Sequence, residues 1–205
     1  NNGVTNPDFH ILRYGIETSR FRKRDEKNSS KFRFGFIGSF MRHKGPDILI
    51  TSFKRLRKKI NNIELHLYGY NGGDNDYFRK FAVSEPETGI FFHGSVDNTE
   101  VPSILRAMDI LVIPSKWYEN SPIIIYESYL TELPFITSDI GGMKELAEET
   151  GLGTVFKNND SKDLEEKMLS FIEGKVKLNY NKKFKEAIEL KNHLTSLEEI
   201  YERIL

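Results

Sequence analysis

The stretch WYENSPIIIYES, residues 117–128, sets Glu119 and Glu127 on either side of an apolar run that opens with Ser121-Pro122. Ser is a favoured N-cap and Pro a favoured first helical residue, so a helix is expected to begin there. Pro lacks an N–H, which leaves Ile123 and Ile124 as the first free backbone donors, and such a helix start attracts anions. Glu119 then lies in the loop before the helix, and Glu127 lies roughly 9 Å along the axis from Ser121. The simpler alternative is one loop glutamate and one solvated helix glutamate with nothing in common.

A second chemical stretch is GFIGSFMRHKGPDILI, residues 35–50. Gly35 and Gly38 permit close backbone approach, and Arg42, His43 and Lys44 feed a helix that opens near Gly45-Pro46. Lys as a point charge and Arg as a fork both suit phosphate oxygens at such a terminus; an ordinary basic turn is the alternative. The spacing is neither a Walker pattern nor G-x-G-x-x-G. Carboxylates would repel a phosphate they touched, whereas they accept well from hydroxyls. Phosphate on N–H groups, with hydroxyls held by carboxylates on both sides, is what a nucleotide sugar requires. In ITSDIGGMKEL, residues 136–146, Gly141-Gly142 can bring backbone close to a ligand, or can form a simple turn into a helix carrying Glu145.

The elements that must position these residues alternate. Short β-rich runs fall at 32–38, 63–70, 90–94, 110–115, 134–139 and 153–157, and stretches with helical spacing at 46–60, 74–84, 99–108, 121–131, 142–149 and 160–173. The pattern predicts an α/β fold, a doubly wound Rossmann-like parallel sheet of about six strands with helices on both faces. Ligands of such sheets sit beyond the carboxyl ends of the strands. Residues 1–31 hold one apolar patch, FHILRYGI, and then a charged linker, whereas 174–191 and 194–205 read as two helices with no strand between them. The chain therefore divides into an N-terminal segment and linker (1–31), a Rossmann-like domain (32–173) and C-terminal helices (174–205).

Composition narrows the partners. Thirty basic residues balance thirty acidic ones, which gives no argument for nucleic acid. The absence of Cys removes disulfides, thiolate zinc sites and cysteine nucleophiles. No cluster has metal-ligand spacing, and His10, His43, His66, His93 and His193 are scattered, so neither metal nor cofactor is expected. No apolar run is long enough to span a membrane.

Taken in order, GSFMRHKGPDILI, YGYNGGDN, FFHGSV, ILRAMDILVIPSKWYENSPIIIYESYLTELPFITSDIGGMKEL and GLGTVFKNNDSKDLEEKM resemble the nucleotide-binding half of the retaining glycosyltransferases of the GT-B fold, family four. Glu119 and Glu127 match that group's glutamate pair, and RYGIETSRF resembles the segment that opens this half. The resemblance covers roughly residues 9–173, and the last helix resembles the family's closing helix. It implies one half of a GT-B enzyme, with an N-terminal domain outside this chain.

By that resemblance Lys44 contacts the donor diphosphate, Glu119 binds hydroxyls of the transferred sugar and Glu127 accepts from the ribose. Backbone from Ser121 through Pro122 to Ile123 holds sugar and phosphate beside Gly38 and Ser39, and Ser95-Val96 lies near the base. Ser39 stands where the family usually has an Arg, and Arg42 is the residue placed to reach the same phosphates. Lys44, Glu119 and Arg42 are thus the candidate catalytic residues, with retention of configuration and no protein nucleophile. The implied partners are a nucleoside diphosphate sugar, a saccharide or lipid-linked acceptor and the N-terminal domain. The implied location is cytoplasmic, with the basic stretch 174–191 either a solvated helix or a peripheral membrane contact. Two other readings stay open, a nucleotide-binding module without turnover and a GT-B nucleotide-sugar epimerase.

Overall fold

Six strands, all parallel, carry the fold: β1 (Phe32–Ile37), β2 (Ile63–Tyr68), β3 (Ile90–Phe92), β4 (Ile110–Ile113), β5 (Phe135–Ser138) and β6 (Gly153–Phe156), in the order β3-β2-β1-β4-β5-β6. They belong to a computed structural model that describes residues 10, 12–23 and 30–204. Residues 1–9 and 24–29, which include much of the expected linker, lie outside the described residues.

The strand composition follows from burial on two faces. Every residue of β4 and β5 is buried, as central strands of a covered parallel sheet require. β2, nearer the edge, alternates: Ile63, Leu65 and Leu67 are sealed in the core, while Glu64, His66 and Tyr68 point to the other face.

Helices cover both faces. On one, α1 (Pro46–Arg57), α2 (Asn75–Phe81) and α6 (Ser161–Ile172) enclose a core of Phe34, Phe53, Leu65, Ile136 and Leu164. On the other, α3 (Val101–Arg106), α4 (Ile123–Leu130) and α5 (Gly141–Thr150) pack Leu105, Tyr126, Phe135 and Leu146 together. Asp74 and Asp160 cap α2 and α6 by accepting from first-turn N–H groups.

The C-terminal part differs from the expected helix over 174–191. Gly174, at φ 66°, ends α6, and residues 175–183 run non-helically along the C-terminal end of α5 before α7 (Phe184–Ile188) and α8 (Leu190–Ile204). The reason lies in the period. In VKLNY (176–180) Val176, Leu178 and Tyr180 alternate with polar residues every second position, which suits extended chain better than helix. Asn179 N–H donates to the Gly151 carbonyl at 2.9 Å, and the Tyr129 hydroxyl donates to the Asn181 carbonyl at 2.8 Å.

The start of the described chain joins the same seam. The Ile16 N–H donates to the Ile188 carbonyl at 2.8 Å and the Leu190 N–H to the Ile16 carbonyl at 3.0 Å, while Phe21 is buried in the core beside α4 and α5.

The chain passes from β1 to β2 and β3 on one side, then crosses to β4 on the other. β1 and β4 are neighbours whose outgoing loops diverge, which is the crevice where a doubly wound sheet holds its ligand.

Candidate functional site

Both loops that leave this crevice are tied down by backbone. After β1 the chain makes one 3-10 turn, Arg42–Lys44, and closes it with Gly45 at φ 69°. A Cβ at 45 would stand 2.0 Å from the Pro114 carbonyl oxygen, so only glycine lets this loop lie against the end of β4. The His43 carbonyl accepts from the Lys116 N–H at 2.7 Å and from the Ser115 hydroxyl at 3.1 Å. Lys116 Nζ reaches Asp47 at 2.8 Å in the first turn of α1, and the Tyr77 hydroxyl donates to the same carboxylate at 2.7 Å. Burial and the Asp47 hydrogen bond push the Tyr77 phenol far up, so it stays a donor at any ordinary pH.

This lacing brings two side chains that are 75 positions apart into contact. Lys44 Nζ donates to Glu119 Oε1 at 2.9 Å, with the carboxylate the more buried partner. The pair borders a cavity of about 230 Å³ at the β1/β4 crevice. Gly38, Ser39, Pro122 and Ile124 line it as well, so five of the expected site residues, Gly38, Ser39, Lys44, Glu119 and Pro122, share one space.

α4 begins one residue later than expected. Pro122, not Ser121, occupies the N-cap position, and the Ser121 hydroxyl oxygen accepts from the Tyr126 hydroxyl at 3.2 Å. The inference about donors is unaffected by the shift. Among the described residues the Ile123 and Ile124 N–H groups meet no protein acceptor, whereas Ile125 N–H is already bonded to the Pro122 carbonyl at 3.0 Å. A cation and a carboxylate on one small cavity, with Ile124 of the free helix start lining it, can hold an anion and hydroxyls together.

Other expected residues stand elsewhere. Arg42 points away from the cavity: its Nε reaches Asp74 at 2.7 Å, and its guanidinium lies 5.2 Å from the Tyr77 ring centre. Ile123 is 56% exposed and does not line the cavity. Ser95 is exposed and Val96 packs against the core beside α3, both outside the cavity. Gly141-Gly142 lie against the backbone of loop 118–120. Glu127 is buried a turn inside α4, where Arg20 Nη2 approaches Oε1 at 3.3 Å. Burial raises its carboxyl above the ordinary 4.5, and the Arg20 charge opposes that rise.

Sequence reasoning passed over Arg20, Ser115 and Tyr70. A buried glutamate demands a cation, but nothing local tells which of thirty basic residues supplies it. Tyr70 lines the cavity from the end of β2 and is half exposed, while Ser115 was visible only as part of a Pro-Ser pair. Among the described residues no three His, Asp or Glu side chains converge as a metal site would need, and no helix is long and apolar enough to cross a membrane.

Comparison with known proteins adds the family. A sequence model of the glycosyl transferases group 1 family matches residues 17–191. An uncharacterized glycosyltransferase of Methanocaldococcus jannaschii is 30% identical over 149 residues, which cover 71% of this chain and 40% of the relative. The lipopolysaccharide core biosynthesis mannosyltransferase LpsB of Rhizobium meliloti is 26% identical over 186 residues, covering 82% and 52%. The crystal structure of Anabaena HepE in complex with UDP and glucose superposes with a TM-score of 0.81 at 18% identity, covering 95% of this chain and 57% of that one. The chain thus spans about half the length of the curated relatives it matches.

Proposed function

The chain belongs to the glycosyl transferases group 1 family, and from that premise we propose that it is the donor-binding half of a retaining GT-B glycosyltransferase. The observation that carries this reading is the meeting of Lys44 and Glu119 over a cavity that the start of α4 also lines, through Pro122 and Ile124. The donor is a nucleoside diphosphate sugar. Lys44 and the Ile123 and Ile124 N–H groups take the diphosphate, Glu119 takes sugar hydroxyls, and Glu127 takes the ribose, reached by displacement of Arg20. The described cavity is smaller than the roughly 300–1,000 Å³ of a complete ligand pocket. It suits the sugar and phosphate part of the donor, with the nucleoside extending over the open rim towards Ser95 and Val96.

In the reaction, the bond between the anomeric carbon and the diphosphate oxygen breaks, and negative charge builds on the leaving phosphate. Lys44 and the helix N–H groups stabilise that charge, and one such donor contributes about 3–4 kcal/mol to a transition state. Glu119 orients the sugar and is not the nucleophile. The acceptor, a saccharide or lipid-linked saccharide, enters from an N-terminal domain that belongs to the same longer enzyme. Residues 1–31 are read as the link to that domain, 32–173 as the donor domain and 174–205 as its closing helices. The enzyme works in the cytoplasm, where nucleotide sugars are made.

Because the chain spans half its relatives, binding without turnover is expected of it alone. Calorimetry of the chain with UDP, GDP and ADP, and with UDP-glucose, GDP-mannose and ADP-glucose, tests the proposal. Micromolar to millimolar binding of one nucleotide set supports it. No binding to any of the six removes it.

A further inference from the structure

The loop that carries Glu119 rests on a part of the fold to which the donor reading gives no role. Gly141 and Gly142 open α5, and the Gly142 N–H donates to the Glu119 carbonyl at 3.1 Å. A Cβ at 142 would stand 1.8 Å from the Asn120 carbonyl oxygen and 3.1 Å from that of Glu119. Both obstacles are backbone, so no side-chain rotation relieves the overlap and the loop itself must move. At 141, where φ is +55°, a Cβ would meet the Glu119 carbonyl at 3.2 Å and the Tyr118 ring at 3.3 Å. The start of α5 is therefore covered by loop 118–120, and the Gly142 N–H is spent on protein.

We infer that Gly142 is a positioning residue: the missing side chain lets the Glu119–Asn120 backbone dock on the α5 N-terminus, and this docking aims the Glu119 carboxylate at Lys44 and the cavity. The inference rests on the assignment of Glu119 to the donor sugar. Its reasoning is mechanical. Five residues, 118–122, separate the exposed Trp117 from the start of α4, and the contact of 118–120 with α5 runs through Gly141 and Gly142. Lys44 is held nearer the end of β4, where Gly45 lies on the Pro114 carbonyl and the His43 carbonyl accepts from the Lys116 N–H, and not by the 118–120 contact with α5. Moving the Glu119 loop by about 1 Å would open the pair without touching Lys44, and displacements of that size cost positioned groups up to about 100-fold.

The test is a double-mutant cycle on the whole chain. The quantity followed is the ratio of Kd for the bare nucleotide to Kd for its sugar form, measured with UDP and UDP-glucose, GDP and GDP-mannose, and ADP and ADP-glucose. Gly142→Ala is expected to lower that ratio about tenfold while bare-nucleotide binding holds within about threefold, Glu119→Gln to lower it similarly, and the double variant to lower it no further. Gly151→Ala is the matched control. Its Cβ would meet the Asn179 carbonyl at the same 1.8 Å, but at the far end of α5, so it is expected to lower Tm and leave the ratio unchanged. Additive loss in the double variant, an unchanged ratio in Gly142→Ala, or an equal fall in Gly151→Ala overturns the inference. An unchanged ratio in Glu119→Gln, or no binding of any probe, instead overturns the sugar assignment on which it rests. Should Gly142→Ala not fold, Gly141→Ala, with its looser 3.2 Å approach, carries the same cycle.

Discussion

Lys44 and Glu119 hold each other at 2.9 Å across the point where the sheet reverses its strand order. The proposal assigns each to a different part of the donor, and the two charges satisfy each other here. On the proposed donor reading, binding would part them: the phosphate would replace the carboxylate on Lys44, and sugar hydroxyls the ammonium on Glu119. On that reading the exchange would keep both charges partnered.

Removing the cation tests the first half of that exchange. Lys44→Ala should weaken nucleoside diphosphate binding by about 1.5–3 kcal/mol, or about 10–100-fold, the usual loss for a hydrogen bond to a charged group. Stability should change little, because Lys44 is about a third exposed and such pairs contribute at most about 1 kcal/mol. Calorimetry beside a thermal melt separates the two; a large fall in Tm with unchanged affinity would give Lys44 a structural role only.

Removing the carboxylate charge should act in the opposite direction on the bare nucleotide. Glu119→Gln frees Lys44 from its competitor, so UDP, GDP or ADP should bind a few-fold more tightly, while the preference for the sugar form falls. Equal weakening of nucleotide and nucleotide sugar would contradict the division of labour between Lys44 and Glu119.

Glu127 predicts a pH dependence of stability. Its folded pKa is raised by burial, with Arg20 opposing, so the folded state holds that proton more tightly than the unfolded chain does. The stability linked to it is fully present below the ordinary value of 4.5 and is lost as pH rises through the raised folded pKa. Glu127→Gln removes the ionisation, and Tm should exceed that of the unaltered chain at pH 7 by more than at pH 4. Arg20→Ala should do the reverse at pH 7. Its cost stays well below the roughly 3–5 kcal/mol of a fully buried broken pair, since Arg20 is 42% exposed. A Glu127→Gln melt that is lower at neutral pH and insensitive to pH would show that the carboxylate is held as a favourable anion.

Much of the frame is legible in the residues because its signals are local. Phe32–Ile37 is a short phenylalanine-rich stretch and Ile110–Ile113 an apolar run, both of strand length, and the apolar spacing of Ile48, Leu49, Phe53 and Leu56 repeats every three or four positions through α1. The misreadings occur where tertiary partners decide. Ser121 is a good N-cap by type, yet Tyr126 takes its hydroxyl and Pro122 sits at the cap. Residues 175–183 carry helix-compatible lysines, yet Leu178 and Tyr180 lie on the core and hold the segment extended. Gly141-Gly142 announce a close approach, but not whether ligand or backbone makes it. The Arg20–Glu127 contact joins positions 107 apart and leaves no trace in either neighbourhood.

Arg42 offers the sharpest contrast between residue type and placement. An arginine two positions from Lys44, near Ser39 where the family resemblance would set an arginine, invites assignment to the phosphates. Its guanidinium is instead held by Asp74 at 2.7 Å and by the face of Tyr77, and it is 70% exposed. Asp74 is itself held in place, since it accepts from the Tyr77 N–H as the cap of α2, and that bond lowers its pKa and keeps it an anion. To reach a diphosphate, Arg42 would have to leave an anchored anion and a ring. Arg42→Ala is therefore expected to weaken nucleotide binding less than about threefold, against about 10–100-fold for Lys44→Ala, in calorimetry at matched salt. A loss equal to that of Lys44→Ala would show that the arginine swings to the phosphates on binding and supplies the charge absent at Ser39.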